Sequence, residues 1–208
     1  AQSSVDDFEL RGSAVSLSDE CIRLTPDRPF VSGSAWLKQP VDLRQSFEIR
    51  LSIALGQKNE SGADGLVFVL HPAAQTGWRG EGMGFAGLVP SLGLEFDTYQ
   101  NFHLGDPSDD HLALMVDGQR AHGADRERIV LLENLEDGGR HPLRIAWDAD
   151  AGRLRVTLDG RPRLNLAIDL IREVFGGQPT VYWGFTAGTG RLSNEQDVCI
   201  EKLMLAAR

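Results

Sequence analysis

Apolar residues along this chain recur mainly at every second position. Phe47-Glu48-Ile49-Arg50-Leu51-Ser52-Ile53 alternates strictly, and Leu154-Arg155-Val156-Thr157-Leu158 does the same. Cys199 to Leu205 alternates more loosely. Successive side chains of a strand point to opposite faces, so these segments are predicted to be strands with one face on a core. Three runs are apolar on both faces, Gly65 to Leu70, Leu112 to Val116 and Val181 to Phe185, and read as central strands covered from both sides. Asp117-Gly118, Asp137-Gly138-Gly139, Asp150-Ala151-Gly152 and Asp159-Gly160 supply tight-turn chemistry between them. Arg153 to Arg163 is therefore expected to be a hairpin. One short helix is expected at Asp169 to Phe175, closed by Gly176-Gly177. Many short strands with so little helix predict an all-β sandwich or barrel, formed as a single domain over residues 1–208. The longest irregular stretch, Pro72 to Pro90, is rich in glycine, and a loop of that length in a compact domain usually carries function.

Charge narrows the partners. The chain has 30 acidic and 21 basic residues and a formal charge of -9. That balance argues against nucleic acid, whose binding needs a basic footprint, and leaves carboxylates available for divalent cations. The longest apolar run is strand-sized, so no membrane insertion is expected. The opening Ala-Gln-Ser-Ser suits the mature end of an exported protein. Cys21 and Cys199 are either two separate buried thiols or a disulfide tying the terminal strands in an oxidising compartment.

The most informative segment runs from Leu92 to His111. Glu95, Asp97 and Tyr99 share one face of an otherwise apolar strand, and the following loop adds Asn101, Asp106 and His111. Two carboxylates on one face of a buried strand repel each other and lose solvation. No Lys or Arg lies between Glu95 and His111 to offset them. A metal ion would. Carboxylate, amide and carbonyl oxygens suit calcium, and carboxylates with an imidazole suit manganese or another transition ion. The alternative is a solvated acidic loop at a strand end.

These residues resemble the metal-binding core of the L-type (legume-type) lectins, in which a Glu-Phe-Asp-Thr-aromatic strand runs into an Asn…Asp-Pro…His loop. Three further segments match in order: Gly62-Ala63-Asp64-Gly65-Leu66-Val67-Phe68, Gly82-Met83-Gly84-Phe85-Ala86-Gly87-Leu88, and Trp183-Gly184-Phe185-Thr186-Ala187-Gly188-Thr189-Gly190. The N-terminal part, with Ile22-Arg23-Leu24-Thr25 and Gly33-Ser34-Ala35-Trp36, is nearer to the animal cargo-receptor lectins and their bacterial relatives. The resemblance implies a concanavalin-like jelly-roll β-sandwich of a flat back sheet and a curved front sheet, with neighbouring first and last strands that would bring Cys21 to Cys199.

By position, it assigns calcium to Asp97, the Tyr99 carbonyl, Asn101 and Asp106. A second metal, Mn2+ or another transition ion, would take Glu95 and His111 with Asp97 and Asp106. Four residues separate Asn101 from Asp106, which leaves open a ligand role for Asp109 or Asp110. Sugar would be held by Asp64, after a cis peptide from Ala63, by the Gly84 N–H, by Asn101 and by the Tyr99 ring, with Arg191 and Leu192 tuning specificity. A carboxylate accepts strong hydrogen bonds from neighbouring hydroxyls, and an aromatic ring offers a face to the C–H side of a pyranose.

The implied function is calcium-dependent glycan binding without catalysis, as a recognition or adhesion module. The protein would be secreted, periplasmic or at the cell surface, either as a homo-oligomer or as part of a larger surface protein. The alternatives are a glycoside hydrolase on the same sandwich and a structural or protein-interaction domain. Against the hydrolase, Tyr99 and Gln100 stand where a sandwich glucanase places its second glutamate. Gly82 to Gly87 formally fits a dinucleotide fingerprint but lacks the flanking strand and helix that reading needs. His71, His103, His122 and His141 show no shared metal spacing and read as ordinary loop or core residues.

Overall fold

A computed structural model describes residues 4–108, 110–122 and 128–205. In chain order the strands are β1 (Phe8–Gly12), β2 (Val15–Ser16), β3 (Cys21–Thr25), β4 (Ser32–Leu37) and β5 (Val41–Asp42), then β6 (Phe47–Ala54), β7 (Gly65–His71), β8 (Leu92–Asp97), β9 (His111–Val116) and β10 (Ile129–Leu131). β11 (His141–Asp148), β12 (Arg153–Leu158), β13 (Arg161–Ala167), β14 (Thr180–Gly188) and β15 (Gln196–Leu205) follow. Among the described residues they form two antiparallel sheets. One runs β1-β4-β14-β7-β8-β9-β10, with β5 also on β14, and the other runs β13-β12-β11-β6-β15-β3-β2.

The period-two pattern is what brings the sheets together. Phe47, Ile49, Leu51 and Ile53 of β6 face Leu66, Phe68 and Leu70 of β7 and Leu92, Leu94 and Phe96 of β8 in one core. The predicted hairpin forms as β12 and β13, paired antiparallel. The expected helix is a single π-helical turn, Leu170–Val174, whose Asp169 side chain accepts from the Arg172 N–H. The loose alternation of β15 has a local cause. Its pairing with β6 shifts register between Ile200 and Lys202, so a bulge moves the inward set from Val198 and Ile200 to Leu203.

β15 pairs with β3, opposing Cys199 to Cys21, and the two cysteines form a disulfide. The expectation that first and last strands are neighbours needs correcting. β1 joins β4 in the other sheet, and β3 is the partner of β15.

The runs apolar on both faces are covered on both faces. Val67, Val69, Ala113 and Met115 point away from the main core into a second cluster with Trp36, Met83, Phe85 and Leu88. Met83, Phe85 and Leu88 belong to the glycine-rich stretch, which lies over the outer face of the first sheet. A bridge between Trp78 and Ala86 and a hydrogen bond from the Gly84 N–H to the Trp78 carbonyl (2.7 Å) hold its shape. A Cβ on Gly93 would come within 2.8 Å of the Phe85 ring, so the stretch can seat there only on a residue without a side chain. The same outer face, one end further along, carries the polar site.

Candidate metal centre and adjoining pocket

Because Leu94 and Phe96 turn inward, Glu95 and Asp97 turn outward from β8, yet they are buried at 2% and 5% exposure. His111 of β9 stands opposite Asp97 in the pairing register, and its Nε2 is 3.9 Å from Asp97 Oδ2. The loop after β8 folds back through a short turn at Phe102–Leu104, with Gly105 in the left-handed region. It delivers buried Asp106, whose Oδ2 accepts the Asn101 N–H (2.7 Å), while Asp97 Oδ1 accepts the Tyr99 N–H (2.9 Å).

Burial pushes the Glu95 carboxyl well above the usual range, and the charges of Asp97 and Asp106 push it further. Burial does the same to Asp97, opposed by the Tyr99 hydrogen bond and reinforced by Asp106, Asp64 and Asp110. Among the described residues the ion-pair partners of Glu95, Asp97 and Asp106 are histidines, with neither Lys nor Arg taking part. Glu95 Oε2 and Asp106 Oδ1 are buried without a hydrogen-bond partner. Acidic oxygens left unsatisfied this way are costly unless a cation meets them, so the residues present fit a divalent ion.

The second histidine is His122, which sequence spacing had left as an ordinary loop or core residue. The chain beyond β9 returns across the 102–105 turn, and the His122 N–H donates to the Leu104 carbonyl (2.9 Å). Its side chain is 1% exposed, with Nε2 3.0 Å from His111 Nε2 and 3.8 Å from Glu95 Oε2. Asp106, His111 and His122 present donor atoms all within 4.8 Å of one another. Asp110 Oδ2 accepts the Leu135 N–H (2.7 Å), and Asp109 lies outside the described residues.

Beside this cluster lies a pocket of about 530 Å³ that brings together Asp64, Tyr99, Asn101, Arg191 and Leu192. The Ala63–Asp64 peptide is cis. Asp64 Oδ2 is buried without a hydrogen-bond partner. Burial first, and the charge of Glu81 second, raise this carboxyl to about 7. Tyr99 leaves 39% of its surface open. Gly84 is not brought into the pocket lining, because its N–H is taken by Trp78.

Two lining residues escaped the sequence reading, Glu81 and His103. Glu81 sits in a short turn, Gly80–Gly82, and accepts from Asn101 Nδ2 (3.4 Å), His103 Nε2 (2.9 Å) and the Arg120 guanidinium. No local spacing marks it, since its partners come from other loops. A larger cavity of about 640 Å³ lies against Trp147 and the turn at Asp150-Ala151-Gly152 and shares no lining residue with this pocket.

The model of the legume lectin beta-barrel domain matches residues 1–202, and the chain belongs to that family. Among solved structures it is similar to the basic winged bean lectin with Tn-antigen (26% identity, TM-score 0.77, covering 96% of this chain and 92% of that one). It also shares its fold with the exoplasmic/lumenal domain of VIP36 in a Ca2+/Man3GlcNAc-bound form (20% identity, TM-score 0.76, covering 100% of this chain and 88% of that one). Curated relatives match over shorter stretches. The pesticidal crystal protein Cry22Aa of Bacillus thuringiensis is 35% identical over 97 residues, 45% of this chain and 13% of that protein. A serine-rich adhesin for platelets of Staphylococcus aureus (strain MRSA252) is 33% identical over 85 residues, 38% of this chain and 6% of the adhesin. The chain thus spans a small fraction of these relatives' length.

Proposed function

We propose that this chain binds carbohydrate without altering it, through the pocket at Asp64, and that calcium organises that pocket. The observation carrying this reading is buried Asp64, with an unpartnered carboxylate oxygen, in the lining of a cavity that also takes Tyr99 and Asn101 from the segment bearing the acidic cluster. Calcium on Asp97, the Tyr99 carbonyl, Asn101 and Asp106 would fix that wall. A second ion on Glu95, Asp97, Asp106 and His111 would fix the strand behind it. The Asp64 carboxylate would then accept hydrogen bonds from sugar hydroxyls, the Asn101 amide would donate, and the Tyr99 ring would pack on the pyranose. Arg191 and Leu192 at the rim would set specificity.

A hydrolase would need a second free carboxyl near Asp64. Glu81 is in the pocket, but His103, Asn101 and Arg120 hold its oxygens, which argues for a structural role. A monosaccharide of about a dozen heavy atoms, at about 0.3 kcal/mol each, binds near 4 kcal/mol, about millimolar. Useful avidity therefore calls for several copies or extended glycans. This fits a recognition or adhesion module of an exported protein, and the disulfide supports export. A glycan array with calcium and with chelator tests the reading. Calcium-dependent signals abolished by chelator are expected; an array blank in calcium, or cleavage of the glycans, overturns it.

A further inference from the structure

We propose that His122 is a ligand of the second metal position, giving this chain a two-imidazole donor set that favours zinc-like ions over manganese. The inference rests on the metal-organised reading above and adds one residue that the family resemblance does not supply. Its first support is the spacing of the two rings. Their Nε2 atoms lie 3.0 Å apart with ring planes at 68°. Two nitrogens each about 2.1 Å from one tetrahedral ion are separated by about 3.4 Å, so the rings need part by only a few tenths of an ångström to share one.

The second support is what surrounds His122. Its Nε2 is 3.8 Å from the unpartnered Glu95 Oε2, and its Nδ1 is 2.8 Å from Asp106 Oδ1. A metal-bound histidine typically turns its other ring nitrogen to a carboxylate, which fixes the tautomer and leaves the ligating lone pair inward. The Nδ1–Oδ1 approach is short but off the axis of a hydrogen bond, so the carboxylate is placed for that role without being locked in it.

The third support is depth. The His122 and Asp106 side chains are 1% and 0% exposed, and the Leu104 carbonyl holds the His122 backbone. A flexible surface imidazole would show neither feature. Imidazole nitrogen suits zinc, nickel and copper, whereas carboxylate and water suit manganese and calcium. Adding His122 to the donor set therefore shifts selectivity toward the first group. The competing explanation is a structural histidine–histidine hydrogen bond with no part in metal binding.

The test is calorimetric titration of the chelator-stripped full chain with zinc chloride, manganese chloride and calcium chloride separately, for wild type and His122→Ala. The substitution is expected to weaken zinc binding about 10- to 100-fold, with manganese and calcium changed less than about threefold. Zinc binding that weakens no more than manganese binding overturns the proposal. Pulsed EPR of the wild-type chain loaded with one equivalent of Cu2+ provides a readout independent of how the variant folds. Two equatorial imidazoles are expected, and one overturns the proposal. Both measurements are made without sugar, so a blank glycan array would sink the carbohydrate reading and leave this result standing.

Discussion

Removing divalent cations should do more than weaken the protein; it should change how stability depends on pH. Glu95 and Asp97 are buried together and their carboxyls are held well above the usual range, chiefly by burial. A group whose folded pKa is raised contributes stability that is fully present below its unfolded pKa and lost as pH rises through the folded one. Each such carboxyl, protonated when folded and ionised when unfolded, tilts stability by about 1.36 kcal/mol per pH unit, so the pair tilts it by up to about 2.7. In chelator, the melting temperature should therefore fall as pH rises above about 5. Saturating calcium supplies the positive charge that lets Asp97 ionise in place, and the fall should flatten. At neutral pH, calcium at one hundred times its dissociation constant should add about 2.7 kcal/mol. For a chain of 208 residues that is about 5–11 °C. Circular dichroism melts between pH 5 and 8, with calcium and with EDTA, measure both effects. Parallel melting curves in the two conditions would refute the assignment of a cation to this cluster.

Asp64→Asn keeps the shape of the side chain but loses charge-assisted hydrogen bonds, so glycan affinity should drop about 10- to 100-fold, measured by titration. Its melting temperature at neutral pH should hold or rise, because a buried carboxyl whose ionisation is opposed by burial and by Glu81 becomes a neutral amide. Glu136 is raised to about 8, by burial and then by Asp110, while the Asn194 amide opposes the shift. Its contribution is present below the unfolded value near 4.5 and is lost as pH rises through about 8. Glu136→Gln should therefore stabilise by about 1–2 kcal/mol at pH 8.5 after discounting for solvent screening, and by nothing at pH 4 in denaturant melts. The double variant Cys21→Ser, Cys199→Ser opens a loop closed across 178 positions and should cost about 2–5 kcal/mol in the same melts.

How much of the site was legible depended on what sets each residue's position. Glu95 and Asp97 were readable because a strand places alternate residues on one face, whereas His111, expected in the loop, is the first residue of β9 and stands opposite Asp97. Asn101 and Asp106 were readable as candidate oxygen donors from residue type, but their division between two ions came only through family resemblance, since a loop has no fixed period. His122 and Glu81 were not readable at all. His122 arrives by a return of the chain fixed through the Leu104 carbonyl, and Glu81 by a turn whose partners, Asn101, His103 and Arg120, come from three other places. The same limit explains Cys21 and Cys199. Local pattern marks both as strand residues, but which strand adjoins β15 is a matter of topology.

The outer face of the first sheet shows why the breaches in the pattern point to function. Along most of that face the rule is obeyed: Val67, Val69, Ala113 and Met115 are apolar and covered by Met83, Phe85 and Leu88. At one end the same strands place Glu95, Asp97 and His111 under comparable burial. A fold selected for stability alone would continue the apolar stripe, since replacing buried charge by packed hydrocarbon is often stabilising. In the proposed calcium-organised reading, the interaction that compensates the acids is a cation supplied from outside the chain. The cluster borders the pocket through Tyr99 and Asn101, so whatever satisfies the acids also sets the shape of the pocket. Binding at Asp64 and occupancy at Asp97 are then linked, and each should strengthen the other by the same factor.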